Sequence, residues 1–258
     1  SRPRCVRTCE QCSINSTMTQ RLPMTDTAEI LSAGSLPREI RLIVFDWDGT
    51  LMDSEAQIVS CLRAVIHDLS LEPLDDETLR NVIGLGLREA IDALVPGRDE
   101  DFCQAFIARY RGHWFNSGGS SLFAGVGDML EAFRRQQLLL GVATGKSRRG
   151  LDRVLGETGL ASHFDATRCA DEAPSKPHPQ MLLDLMDQLG VTPAQTIMVG
   201  DTEYDMEMAS NAGAAKIAVT TGVHSEQRLS RHAPLVCLRH ISDMPAWMTN
   251  TGIPPFNR

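Results

Sequence analysis

The sequence lacks the features that mark a membrane protein. Hydrophobic residues make up 42% of the 258-residue chain, yet they form no long apolar run. A spanning helix requires about 18 consecutive apolar residues. Arg2, Arg4 and Arg7 lie near the first residue, but the apolar stretch of a secretory signal does not follow them. We therefore expect a cytoplasmic protein with no membrane partner.

An excess of positive charge is also missing. Lys and Arg total 25 against 33 Asp and Glu, which gives a net charge of −8. Such a chain does not favour non-specific binding to the phosphate backbone of nucleic acids, which relies on basic side chains. Anionic lipid surfaces attract basic clusters for the same reason. We expect no nucleic-acid partner and a monomer or homodimer.

The chain has seven cysteines, an odd number, so they cannot all be paired in disulfides within the chain. Cys61, Cys103, Cys169 and Cys237 stand among apolar residues, a pattern typical of buried free thiols in a reducing compartment.

A second group of cysteines lies in the first segment of the chain. Cys5, Cys9 and Cys12 have the C-x3-C-x2-C spacing of some iron–sulfur sites, but Gln11 stands where an aromatic residue usually precedes the third cysteine. Residues 1–38 show no periodicity and are rich in Ser, Thr and Arg. We interpret them as a disordered N-terminal tail.

Short apolar runs alternate with helical patterns from residue 40 onward. The predicted strands are Ile40–Phe45, Leu138–Ala143, Thr196–Val199, Ala215–Val219 and Leu235–Leu238. The predicted helices between them are Val126–Arg135, Gly150–Thr158, Pro179–Leu189 and Tyr204–Asn211. This alternation predicts an α/β fold with a doubly wound, mostly parallel, Rossmann-like sheet, whose ligands bind beyond the carboxyl ends of the strands.

Residues 55–122 have a different pattern, with helical periodicity and no convincing strand. Four helical faces are centred near Leu62, Leu79, Ile91 and Phe106. We predict an inserted all-helical cap domain over 55–122, an α/β core domain over 39–54 and 123–248, and a C-terminal tail over 249–258.

The strongest chemical signal is the pair Asp46 and Asp48, which directly follows an apolar strand. Residues two apart in an extended segment project to the same side. Two adjacent carboxylates repel each other unless a cation lies between them, and Mg²⁺ prefers oxygen ligands. An Asp-x-Asp-Gly turn also occurs in calcium loops, but the glutamate required at the twelfth position is Gln57 here.

Three further segments place polar residues after predicted strands or in a constrained loop. Asp201 and Asp205 follow the strand at Thr196–Val199 and are spaced to share a helical face. Thr144 and Gly145 follow another strand and offer a hydroxyl and backbone N–H groups to a phosphate. Lys176 precedes Pro177 in a loop rich in proline.

Each of these segments also has an ordinary structural interpretation. Acids in a first helical turn favour the helix dipole, a hydroxyl before a helix often caps it, and a loop lysine is often solvated. The complete phosphate-loop pattern G-x4-G-K-[ST] is absent around Gly145.

Together and in this order, the four segments resemble the haloacid dehalogenase-like superfamily, in particular its phosphoglycolate phosphatase-like branch with a helical cap. The resemblance covers residues 40–225. It implies that Asp46 is a nucleophile that forms an aspartyl-phosphate and that Asp48 is the acid/base. The roles it implies for the other residues are phosphate binding by Thr144, Gly145 and Lys176, and Mg²⁺ binding by Asp46, the Asp48 carbonyl, Asp201 and Asp205.

The sequence departs from this family at two positions. Gly145 stands where related chains often carry Asn, so we expect one side-chain contact to be missing. Trp47 replaces an aliphatic residue between the two acids, and its side chain is expected to point into the core. In the cap, Arg88 is a candidate for reading an anionic group of the substrate.

The resulting prediction is an Mg²⁺-dependent phosphatase that acts on a small phosphorylated metabolite, with phosphoglycolate favoured. The alternative is a sugar phosphomutase of the β-phosphoglucomutase type. Asp48 disfavours the dehalogenase chemistry of the same superfamily, which needs no acid at that position. The intact set of Asp46, Asp48, Lys176 and Asp201 disfavours a non-enzymatic binding module.

Overall fold

The computed structural model describes residues 39–253, and the predicted N-terminal tail with Cys5, Cys9 and Cys12 lies outside the described residues. A six-stranded sheet forms the centre of the fold. Its strands are β1 (Leu42–Phe45), β4 (Leu139–Thr144), β5 (Ala166–Cys169), β6 (Thr196–Gly200), β7 (Ala215–Val219) and β8 (Cys237–Leu238). Their spatial order is β5-β4-β1-β6-β7-β8, and every pairing in this sheet is parallel. The predicted α/β class is confirmed.

Helices cover both faces of this sheet. They are α5 (Val126–Arg135), α6 (Arg148–Thr158), α7 (Gln180–Leu189), α8 (Glu203–Ala212), α9 (Glu226–Ser230) and α10 (Met244–Asn250). Along β1, Ile43 and Phe45 join the hydrophobic cluster that contains α5, α6 and α10 residues, whereas Leu42 and Val44 join the cluster that contains α7 and α8 residues. The alternation of strand side chains thus explains why β1 is apolar throughout.

Four helices lie between the first strand and α5. They are α1 (Glu55–Asp68), α2 (Asp76–Asn81), α3 (Leu87–Leu94) and α4 (Glu100–Asn116). Two short strands, β2 (Met52–Asp53) and β3 (Ser121–Leu122), pair in antiparallel fashion at the two ends of this segment. The four helices share their own hydrophobic cluster, which is separate from the two clusters on the sheet. The four helices α1 to α4 therefore form an inserted helical segment, and β2 and β3 connect this segment to the rest of the fold.

Most predicted elements agree with the structure to within three residues. Trp47 is fully buried in the core, as its position between the two acids predicted. The strand Ala166–Cys169 was not predicted, and the predicted strand Leu235–Leu238 is limited to Cys237–Leu238. The predicted C-terminal tail overlaps α10, which ends at Asn250, and Ile253 is buried.

No helix within residues 39–253 is both long enough and apolar enough to cross a membrane.

Candidate active site

The carboxyl ends of three neighbouring strands place the candidate residues together. Asp46 directly follows β1, Thr144 ends β4 and Asp201 directly follows β6, and β1 lies between the other two strands. Parallel strands end at the same edge of a sheet, so residues far apart in the sequence meet there. All three side chains are buried.

Three aspartates form a compact acidic cluster at this edge. Asp46, Asp201 and Asp205 each offer one carboxylate oxygen, and these oxygens all lie within 4.8 Å of one another. Thr50 Oγ1 donates a hydrogen bond to Asp201 Oδ1 at 2.8 Å, and the backbone N–H of Val223 donates to Oδ2 at 3.1 Å. These bonds fix the orientation of the Asp201 carboxylate.

Asp205 has a structural role as well as a place in the cluster. Its Oδ2 accepts hydrogen bonds from the backbone N–H and the hydroxyl of Thr202, at 3.0 and 2.7 Å, in a reciprocal cap at the start of α8. Its Oδ1 lies 2.7 Å from Lys176 Nζ. One oxygen therefore stabilises the helix start while the other faces the site.

Lys176 joins two of the three aspartates. Its Nζ lies 2.7 Å from Asp46 Oδ1 and 2.7 Å from Asp205 Oδ1, and its side chain has no exposed surface. Burial alone lowers the pKa of this ammonium, but the carboxylates of Asp205 and Asp46 outweigh burial and raise the pKa above its usual value. The lysine predicted from a loop motif is therefore a buried cation of the cluster.

The cluster contains three carboxyl groups and one ammonium group. Burial raises the pKa of Asp46 well above its usual value, and Lys176 only partly opposes this because Asp205 and Asp201 raise the pKa further. Burial, with the neighbouring Asp205, raises the pKa of Asp201 to about 7. Three buried carboxylates against one ammonium fit a hard divalent cation, for which oxygen is the preferred ligand.

The backbone at Gly222 lies so close to Asp201 that no side chain would fit between them. A Cβ atom at Gly222 would lie 1.8 Å from Asp201 Oδ2, so the loop after β7 passes directly over that carboxylate. Nothing in the sequence around Gly222 identified it, because the loop lacks a chemical motif.

Asp48 does not belong to the acidic cluster through its carboxylate. Its Oδ1 accepts a hydrogen bond from Ser54 Oγ and lies 3.0 Å from Lys146 Nζ. Asp46 and Asp48 therefore have different surroundings, although they are two residues apart. Asp48 lines a cavity together with residues of the helical segment.

Thr144 and Gly145 lie beside these acids. The backbone N–H of Lys146 donates to Thr144 Oγ1 at 3.2 Å, and the N-cap of α6 is Ser147, so Thr144 does not cap the helix. A Cβ atom at Gly145 would lie 2.3 Å from the carbonyl oxygen of Leu85. The absent side chain at Gly145 allows the loop before α3 to approach the sheet.

A cavity of about 320 Å³ lies between the helical segment and the sheet edge. Asp46 and Asp48 line it together with Tyr110 and Trp114 of α4, whose rings are stacked at 6.2 Å between centroids. The hydrogen bond from the Gly86 backbone N–H to Ser175 Oγ, 2.7 Å long, joins the helical segment to the α/β part. The cavity is the space available to a substrate.

Arg88, the predicted reader of an anionic group, also lines the cavity. Its guanidinium is paired with Glu100 and with Asp92, and its side chain is 42% exposed. Lys146 was not predicted as a site residue, although it adjoins Gly145 in the motif. It lies in the cavity and contacts Asp48.

Comparisons with known proteins identify relatives of this chain. The family model described as haloacid dehalogenase-like hydrolase matches residues 43–219. A protein of Dickeya dadantii named "Probable phosphatase IndB" is 37% identical over 79% of this chain and 91% of its own. The phosphoglycolate phosphatase of Chromobacterium violaceum is 30% identical over 80% of this chain and 97% of its own.

A solved structure shows the same fold. The haloacid dehalogenase-like family hydrolase SP0104 of Streptococcus pneumoniae superposes with a TM-score of 0.70 and 24% identity, over 81% of this chain and 98% of its own.

Proposed function

The chain belongs to the haloacid dehalogenase-like hydrolase family and is a phosphatase, and we propose that it hydrolyses a small phosphate monoester through an aspartyl-phosphate on Asp46. The observation that carries the proposal is that Asp46 and Asp48 have different surroundings. Asp46 lies in a cluster with Lys176, Asp201 and Asp205, whereas the Asp48 carboxylate lies outside that cluster.

In the first step, a carboxylate oxygen of Asp46 attacks phosphorus and the bond from phosphorus to the ester oxygen breaks. Asp48 gives its proton to the leaving alkoxide. In the second step, the Asp48 carboxylate takes a proton from water, and the oxygen of that water attacks phosphorus. Inorganic phosphate leaves and the Asp46 carboxylate is restored.

The remaining residues position and neutralise the phosphoryl group. The Thr144 hydroxyl and the Gly145 backbone N–H would donate hydrogen bonds to phosphoryl oxygens, and the Lys176 ammonium, which lies beside Asp46, would offset their charge. Asp46, Asp201 and Asp205, with the Asp48 carbonyl, would hold Mg²⁺. When bound there, this cation supplies further charge neutralisation to the phosphoryl oxygens.

The helical segment is proposed to act as a cap domain over residues 55–122. Its own hydrophobic cluster and its two-stranded connection, β2 with β3, support movement as a unit. Closure of such a cap excludes water from the reacting groups. The free thiols at Cys61, Cys103 and Cys169 fit a reducing, cytoplasmic location.

The test is phosphate release from a panel of small phosphate monoesters in the presence of Mg²⁺, with phosphoglycolate first because a relative is named for it. Asp46→Asn should abolish release, whereas Asp53→Asn, a change at an exposed neighbouring carboxylate, should not. Normal turnover by Asp46→Asn, or activity that survives complete chelation, would refute the mechanism. Trace phosphate release with rapid phosphate migration on a sugar would identify a phosphomutase instead.

A further inference from the structure

Lys146 occupies a position that the proposed chemistry does not yet use. It follows Gly145 in the loop after β4, and its side chain is only 10% exposed. Its Nζ lies 3.0 Å from Asp48 Oδ1 and 4.3 Å from the centroid of the Trp114 ring. The ammonium is thus held between the acid/base on the sheet edge and an aromatic side chain of α4.

We propose that Lys146 is a specificity-determining residue whose ammonium pairs with a carboxylate of the leaving alcohol, so that the preferred substrates are phosphorylated hydroxy acids. This inference rests on the proposed phosphatase function and deepens it. It names the class of the leaving group and the side chain that recognises it.

The position of the leaving oxygen supports this assignment. An acid that protonates this oxygen must lie within hydrogen-bond reach, about 2.6–3.2 Å. Lys146 Nζ is 3.0 Å from a carboxylate oxygen of Asp48, the proposed acid, so the ammonium and the leaving oxygen would both lie next to Asp48. A carboxylate one or two carbons from the ester oxygen therefore comes within reach of Lys146.

Charge balance in the cavity supports it as well. Among residues 39–253, Asp48 is the only carboxylate within ion-pair distance of Lys146. A neutral leaving group would displace water from this largely buried ammonium without replacing the lost solvation, which is unfavourable. An anionic leaving group replaces that solvation with a charged hydrogen bond.

The other cations of the cavity are less suited to this role. Arg88 is paired with two carboxylates, Glu100 and Asp92, and is 42% exposed, so water screens its charge more than that of Lys146. Arg111 and Arg149 line the cavity but are exposed, so water screens their charges. Arg153 also lines the cavity, but it is paired with Glu157 on its own helix. Lys146 is the cation that lies next to the acid/base.

The aromatic wall fixes the size of the substrate class. The stacked rings of Tyr110 and Trp114 offer an apolar surface beside the ammonium. The cavity of about 320 Å³ is large enough for a carbon skeleton longer than that of a two-carbon acid. The cavity therefore has room for hydroxy acids with a longer chain or a ring.

The experiment compares two esters that differ only in charge, phosphoglycolate and the phosphate ester of glycolamide. The ratio of their kcat/KM values is measured for the wild type, Lys146→Met, Lys146→Arg and Arg88→Met, with para-nitrophenyl phosphate as a general substrate. The wild type should prefer the carboxylate. Lys146→Met should lower the ratio roughly 10- to 100-fold, mainly through KM, which is the loss expected for a hydrogen bond to a charged group.

The variants separate recognition from a structural role. Lys146→Arg should restore part of the ratio, because it keeps the charge, and Arg88→Met should leave the ratio near that of the wild type. An unchanged ratio in Lys146→Met, or a loss of the ratio in Arg88→Met alone, would overturn the inference. Equal loss on both esters would show that Lys146 only positions Asp48, which overturns it too.

Failure of the proposed function would give a different set of results with the three esters. If the wild type releases phosphate from none of the three esters, the phosphatase proposal and this inference both fail. If it hydrolyses para-nitrophenyl phosphate but shows no preference for the carboxylate, the phosphatase proposal stands and the inference alone is refuted. If Lys146→Met does not fold, Lys146→Gln, which keeps a polar side chain without the charge, decides by the same ratio.

Discussion

Gly145 and Leu85 approach each other so closely that no side chain fits between them. A Cβ atom at Gly145 would lie 2.3 Å from the Leu85 carbonyl oxygen. The sequence predicted that glycine at this position removes a side-chain contact at the active site. The structure gives a packing reason for glycine at this position. Because Gly145 has no side chain, the helical segment can lie against the sheet edge.

Gly145→Ala should therefore hold the helical segment away from the sheet edge. The backbone N–H of Gly86, which donates to Ser175 Oγ at 2.7 Å, reports this contact. We expect faster hydrogen exchange at the Gly86 amide and a several-fold lower kcat/KM for phosphate release.

Gly156→Ala on α6 is the matched control, because a Cβ atom there would meet nothing within 4 Å. It should stabilise the protein by roughly 0.5–1 kcal/mol and leave exchange at Gly86 unchanged. Equal exchange rates at Gly86 in the wild type and in Gly145→Ala would contradict the proposed contact.

Asp48→Asn should separate the two steps of the proposed reaction. With para-nitrophenyl phosphate the leaving group needs little protonation, so Asp46 should still be phosphorylated. Hydrolysis of the aspartyl-phosphate needs a base and should slow on the order of 10²–10⁴-fold. A phosphorylated protein should then accumulate, and intact mass spectrometry after acid quenching would detect it. Absence of the adduct in Asp48→Asn while steady-state turnover is slow would argue against the assigned base.

The sequence predicted those site residues that directly follow apolar strands. Asp46, Thr144 and Asp201 follow apolar runs, and parallel strands bring such positions together. The strand Ala166–Cys169 was missed because Thr167 and Arg168 are polar, as an edge strand allows. Edge strands do not need the continuous apolar pattern that marked β1.

Side-chain direction explains what the sequence could not predict. Arg88 and Lys146 are both cations near motifs, and their sequence neighbourhoods do not reveal which one faces inward. The structure places Arg88 against Glu100 and Lys146 against Asp48. That choice depends on how α4 packs over the sheet edge, which is a tertiary relationship between Trp114 and the loop after β4.

Lys176→Met should destabilise the protein because it leaves Asp46 and Asp205 without their buried cation. Removal of one partner of a buried ion pair typically costs about 3–5 kcal/mol. The loss should appear as a lower free energy of unfolding in denaturant, measured in the presence of chelator. Phosphate release should also fall to background.

The double variant Lys176→Met with Asp46→Asn provides the control for this prediction. It removes one carboxylate along with the ammonium, so it should be more stable than the sum of the two single changes implies. Strict additivity would show that the two side chains do not stabilise each other.

The acidic cluster should make the stability of the metal-free protein depend on pH. Burial, with the neighbouring Asp205, raises the pKa of Asp201 to about 7, whereas an unfolded aspartate has a pKa of about 3.9. Between these values the folded state holds a proton that the unfolded state has released. The contribution of Asp201 to stability is therefore present below pH 4 and is lost as the pH rises through 7.

Mg²⁺ should reverse this loss, because its binding requires ionised carboxylates and replaces the proton. The increase in melting temperature on adding Mg²⁺ should thus be larger at pH 8 than at pH 6, and it should be small at both in Asp201→Asn. With chelator, the wild type should lose roughly 1 kcal/mol more than Asp201→Asn between these pH values. The comparison cancels groups whose titration Asp201 does not affect, such as His224, whose pKa is lowered to about 4 mainly by burial. Equal stabilisation by Mg²⁺ at both pH values would show that the cation binds elsewhere than at Asp201.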